Sequence, residues 1–389
     1  MRVLWNEIKK IWNWKILLLL CIANVLMCLL FIENPATAIT RGRPALDEYR
    51  IAAEMARQYG SDMEEEDFAH FKKAYEAQIG EAGNYLRARP EFAAAGIRSY
   101  EDFMHFDSDD SEQNALRNKV LFKEKVDLFW ELQARRILIE EWHDNRAQWM
   151  ERAWENAGDA KQKARLGELR AAGHVQTYPG IVLQNYKDFI SSVAVAVIVS
   201  VVMALSPVFI KDRLGRMLDL QYTTRQGRNL YKTKAAAGLV SACIAIASLL
   251  IVYLGLYAFI INHKVLRHDN LSVFFQVPLH TFTGSYYWYD PTFLQYVILT
   301  IAAVVVLGLA FALLAMCFSG LMSNYVALIG VQIPFVFGAL FFGLYYCLDH
   351  IIDIRMAKWM APVLYSLAAV SGAAFMLLLW RREKRRDIA

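Results

Sequence analysis

Charge is missing where this sequence is most apolar. Six stretches, Ile16–Ile32, Phe189–Ile210, Ala235–Ile261, Phe293–Phe318, Tyr325–Leu348 and Pro362–Trp380, contain no aspartate, glutamate or histidine. Ion-coupled carriers keep ionisable groups at membrane depth, and intramembrane proteases need paired acids or a His/Glu-bound metal. The stretches hold neither, so both classes lose ground. Cysteine is scarce: Cys21, Cys28, Cys243, Cys317 and Cys347 all fall in apolar stretches, which leaves no disulfide framework and no CxxC-type metal site. Glu140-Glu141-Trp142-His143 lacks the spacing that puts two zinc ligands on one helix face, and no GxSxG is present. The acidic run from Asp107 to Glu112 has no central glycine and no distal glutamate at the offset a calcium loop needs. Gly227 to Thr233 lacks the second glycine of a phosphate-cradling loop. No enzyme motif, metal site or cofactor site is expected in this chain.

What is present is membrane-spanning length. A helix needs about 20 mostly apolar residues to cross the hydrocarbon core, and the six stretches qualify or nearly do. The expected class is an all-α polytopic membrane protein of about six transmembrane helices. Basic residues in short flanks orient it. Residues 1–15 carry four, the loop 211–234 seven and the tail after Trp380 five, whereas the alternate loops 262–292 and 349–361 carry two each. Both termini are therefore expected in the cytoplasm, with 33–188 outside. The formal charge of +4 argues little for nucleic acid, because 33–188 holds 22 Lys/Arg against 29 Asp/Glu and the surplus sits beside the apolar stretches.

Residues 1–32 read as an interfacial helix and first span. Leu4, Ile8 and Ile11 share one face, and Trp5, Trp12 and Trp14 suit a headgroup belt. The rival is a cleaved signal ending near Ala36-Thr37-Ala38; the long, tryptophan-rich lead favours a retained anchor. Residues 33–188 are rich in helix formers, and Glu112–Asn156 lacks glycine and proline for 45 residues. There Leu121, Leu128, Leu132, Ile139, Trp142, Trp149 and Ala153 form a heptad-like seam, predicted to lie on one long helix and to pack on a helix from Leu46–Tyr59 or Met63–Leu86. The expected domains are thus 1–32, a helical extracytoplasmic domain 33–188, and 189–389 with the remaining spans, the loop 211–234 and the basic tail.

Asn24, Gln295 and Gln332 are the polar residues worth naming in the spans, as a possible substrate path or as interhelical hydrogen bonds. The loop 211–234 is the most patterned segment. It has an early charged residue and glycine, a short apolar helix, a Thr-Thr-Arg-x-Gly-Arg turn (Thr223 to Arg228) and a closing Lys234. A plain stop-transfer loop explains the cations but not this order. With the six-span order, the amphipathic N-terminus and the polar hairpin 349–361, the loop resembles that of type-2 ABC exporter permeases. The insertion of roughly 155 residues after the first span departs from the usual short loop, although some members of that family carry such domains.

That resemblance implies a plasma-membrane permease that moves a peptide or lipid-like amphiphile. Arg213, Leu214, Arg216, Met217, Leu218, Thr224, Arg225 and Arg228 would couple it to a separate cytoplasmic ATPase. ATP and Mg would be held by that ATPase subunit, and a second permease copy or homologue and membrane lipid would be the other partners. The competing expectation is a membrane-anchored receptor or scaffold whose outer helices bind a protein without transport.

Overall fold

In hydrocarbon no water is available to backbone N–H and C=O groups, so an apolar stretch must satisfy them internally as a helix. The computed structural model follows that rule. It describes residues 2–32, 42–61, 63–105, 110–173, 176–215, 217, 230–266 and 269–385. Among the described residues five helices are long and apolar enough to cross a membrane: Trp14–Phe31, Ile181–Leu214, Leu230–Leu266, Phe293–Leu321 and Met360–Lys384. Among the described residues no strand forms, and only isolated bridges such as Tyr178 with Phe282 occur. The protein is an all-α polytopic membrane protein.

The remaining apolar stretch is built differently. Tyr325–Gly338 is an α-helix of 14 residues, followed by π-helical turns at Ala339–Gly343 and Tyr345–Asp349. Pro334 lies inside it; proline removes an N–H and collides with the preceding turn, and the chain leaves α geometry within a turn and a half. The second apolar helix starts at Ile181, eight residues before the apolar stretch does, so Lys187 and Asp188 ride on the helix itself. Hydropathy marks where lipid begins. The helix begins instead at the Pro179-Gly180 turn, where the Gln184 amide bonds the Gly180 carbonyl at 2.9 Å.

The chain divides into two compact units. One comprises Met1–Ala36, Asn185–Phe259 and Gln295–Ala389, the other Thr37–Gln184 and Ile260–Leu294. In the first, the second apolar helix is the most buried and the first and sixth are mostly exposed. Close approach depends on glycine. A Cβ at Gly308 would meet Ile246 at 2.8 Å and Val197 at 3.2 Å, and one at Gly238 would overlap the Met316 sulfur. Small residues let helix backbones meet where hydrophobic burial gives no drive.

The second unit is a helical bundle around aromatic rings. Arg43–Tyr59, Glu65–Arg87 and Asp127–Arg136 are its main helices, and the part of the seam on Asp127–Arg136 packs on the other two. Phe129 is central, its ring 4.6 Å from Phe103 and 5.5 Å from Tyr85. Glu112–Asn156 is not one helix, however. It breaks into Ser111–Asn118, Asp127–Arg136 and Arg146–Glu155 with π-helical turns between, and Lys125 takes a left-handed φ of 52°. The seam therefore holds only in part. Leu121, Leu132 and Ile139 are buried, Leu128 and Trp142 are half-buried, and Trp149 is exposed. Residues Ile260–Leu294, which contain the expected loop 262–292, belong to this unit as well. Thr177 and Tyr178 amides bond the Thr281 carbonyl at 2.9 Å, Arg50 bonds the Val265 carbonyl, and Arg165 pairs with Asp290 at 2.7 Å.

Candidate functional site

The first, second and fifth apolar helices enclose a groove of about 380 Å³ in the membrane unit. Leu19, Val202, Met203, Leu328, Ile333 and Phe337 give it apolar walls. Its polar floor is one pair: Ser206 donates to the Gln332 amide oxygen at 2.8 Å. Ser206 sits at the break between Ile181–Leu205 and Pro207–Leu214, where Pro207 starts a new helical turn, and its hydroxyl also lies 2.5 Å from the Val202 carbonyl. Nothing in the groove lining is charged, which fits an apolar or amphiphilic occupant.

Gln332 is thus part of the groove. Asn24 is not. It donates to the Ser200 hydroxyl at 2.8 Å and accepts from Tyr253 at 2.7 Å, joining the first three apolar helices by hydrogen bonds. Gln295 lies exposed on the fourth apolar helix and does not line the groove. A wholly buried polar pair of the same kind, Tyr186 with Thr300 at 2.8 Å, was not visible in the sequence, because Tyr186 lies three residues before the apolar stretch and enters the unit only through the early helix start.

The ends of this unit differ in charge. At one end lie Lys15 and Lys211 around a common cavity, Lys232 over the Trp380 ring at 4.2 Å and Lys384 at 5.7 Å from the same ring. The start of the loop 211–234 is held there. Arg213 donates to the Met322 carbonyl at 2.6 Å and the Gly320 carbonyl at 2.5 Å, satisfying the carbonyl end of the fourth apolar helix. Asp212 pairs with Lys234 across the loop. Leu214 and Met217 are 47% and 48% exposed. Arg216, Leu218, Thr224, Arg225 and Arg228 lie outside the described residues.

The opposite end holds a buried ionic cluster that sequence reasoning missed. Asp353, 1% exposed, accepts from the Arg355 guanidinium at 2.7 Å and lies 3.3 Å from the His350 ring. Ser191 donates to Asp349, and Lys187 is buried on the second apolar helix. Burial alone would raise the Asp353 carboxyl, but hydrogen bonds from His350 and Arg355 outweigh it and hold the group well below the usual carboxylate range. Lys187 sits two residues before the apolar stretch, so hydropathy placed it outside; only the early helix start brings it inside.

In the bundle, His143 stacks on Phe68 with ring centroids 3.4 Å apart and lies 3.5 Å from Glu65 and 3.2 Å from Asp144. Burial pushes its imidazole down, so it favours the neutral ring. Among the described residues no group of three His, Cys, Asp or Glu side chains is arranged to hold a metal. Comparison with known proteins returned no match to a family model, to a curated protein or to a solved structure.

Proposed function

We propose that this protein is the membrane-spanning permease of an exporter driven by a separate cytoplasmic ABC ATPase and working as a pair of permease subunits. Six segments cross the membrane, with Tyr325–Asp349 as the fifth, both termini cytoplasmic and residues 33–188 outside. The cargo is a peptide or lipid-like amphiphile that uses the uncharged groove containing Gln332. The observation that carries this reading is the pair Leu214 and Met217, apolar and exposed on the basic end of an otherwise lipid-facing unit. Water-exposed apolar residues beside a firmly anchored arginine suit a short helix that docks into a partner's groove. The basic end also fits the cytoplasmic side.

The test is copurification from native membranes in mild detergent. The full-length protein should bring an ABC ATPase with it, and Leu214→Asp with Met217→Asp should lose it while the permease still inserts. Retention of the ATPase by the double variant would remove the coupling role. If no ATPase accompanies the wild type, the receptor reading advances, for which Phe122, Trp149 and Trp154 give exposed aromatic surface on the helical bundle.

A further inference from the structure

A second cavity, of about 240 Å³, lies where the N-terminal helix Arg2–Ile11 meets the basic end of the second apolar helix. It shares Pro207 and Tyr325 with the apolar groove, so the two adjoin. Its lining is divided by chemistry. Ile11, Ile16, Ala204 and Val208 are apolar, and Lys10, Lys15 and Lys211 bring cations. The two acids in the lining already have partners: Glu7 pairs with Lys10 at 2.5 Å, and Asp212 with Lys234. The surplus charge rests on Lys15 and Lys211, both exposed. The start of the first apolar helix is not the anion site, since Asn13 already caps it by accepting from the Lys15 and Ile16 amides at 3.1 Å. Trp5 and Trp14 stand exposed beside this cavity's helices, as aromatic side chains do at headgroup depth.

We propose that this cavity binds the headgroup of an anionic phospholipid, with Lys15 and Lys211 on the phosphate and an acyl chain running into the adjoining groove. The site rests on the protein being membrane-embedded and not on its being an exporter. A cationic mouth above an apolar trough matches an amphiphile with a negative head and rejects a free anion, which gains nothing from the trough.

The experiment is native mass spectrometry of the full chain in detergent, titrated with phosphatidylglycerol, with phosphatidylcholine of the same chains, and with inorganic phosphate. Phosphatidylglycerol should be retained about tenfold better than phosphatidylcholine. Lys15→Gln with Lys211→Gln should abolish that preference, and Lys15→Arg with Lys211→Arg should keep it. Val208→Trp, which fills the cavity without changing charge, should also weaken retention and serves if the glutamine pair fails to elute as the wild type does. Equal retention of the two lipids, or a preference that survives both the glutamine pair and Val208→Trp, overturns the site. Displacement of phosphatidylglycerol by an equal concentration of inorganic phosphate assigns the cavity to a soluble anion and also overturns it. Loss of ATPase copurification leaves this result untouched, so the two readings fail separately.

Discussion

The two units satisfy their polar groups by opposite rules. In the membrane unit the interior bonds join neutral side chains across helices: Asn24 to Ser200, Tyr253 to Asn24, Ser206 to Gln332 and Tyr257 to Asn185. Ions are confined to the ends. In the helical bundle, ion pairs ring an aromatic core, as with Arg43 between Asp47 and Asp127, Arg135 on Glu54, and Arg89 with Glu124. The difference follows from the solvent each surface meets. Water screens the outer partners Asp127 and Glu54 and weakens such pairs, while Asp47 and Arg135 are themselves buried and rings such as Phe129 fill the apolar core. Lipid supplies no hydrophobic drive between helices, so the membrane unit relies on glycine contacts and neutral hydrogen bonds.

The largest effect should come from the bundle's core. Phe129→Ala should destabilise the bundle by about 3–5 kcal/mol in native-state hydrogen exchange on the full chain. Trp142→Ala should cost about 1–2 kcal/mol, because that ring is half-buried and stacks on Trp149 at 5.7 Å. Equal losses at the two positions would mean that the rings share one core.

Next comes the ionic end of the membrane unit. Asp353→Ala removes the charged acceptor of the exposed Arg355 guanidinium and one carboxylate whose field acts on the buried Lys187, and loss of such a charged hydrogen bond costs about 1.5–3 kcal/mol. Amides of 350–356 should exchange correspondingly faster, with the bundle unaffected. Neutral bonds should matter less. Asn24→Leu is expected to cost about 0.5–1 kcal/mol.

The smallest effect is a contrast in pH dependence. Asp353 titrates below the ordinary carboxylate range, so its contribution is present above roughly pH 4 and is lost as pH falls through its folded-state value. Glu48 in the bundle is raised by burial and by the charges of Glu141 and Asp47. Its penalty is absent below the ordinary glutamate range and full above the raised value. Glu48→Gln should therefore stabilise the bundle slightly at neutral pH and not at pH 4, whereas Asp353→Asn should destabilise its turn at neutral pH most. Exchange rates of the two regions at pH 4 and 7 would reveal the same sign if this account of the two carboxyls is mistaken.

Much of the fold was legible because lipid imposes a strong rule. Apolar length alone gave five of the helices. Tyr325–Leu348 counts as a span by apolar length, but hydropathy does not register Pro334, whose effect is on backbone geometry. The 45-residue stretch free of glycine and proline looked like one helix, yet tertiary packing of Phe129 and Trp130 overrides propensity and the chain turns at Lys125. Of the site, Gln332 was legible as an amide in an apolar run. Lys187 and Asp353 were not, because their burial depends on a turn and a helix start that lie far apart in sequence.

The central claim is that the basic end of the membrane unit faces the cytoplasm and that the bundle's surface lies outside. In a background without the native cysteines, single cysteines replacing Ser61, Asp110, Lys358 and Met217 can be treated on intact cells with a membrane-impermeant thiol reagent. The account predicts that the first three react and that Met217→Cys reacts only after the membrane is opened. Labelling of Met217→Cys on intact cells, with Ser61→Cys and Asp110→Cys protected, would contradict it.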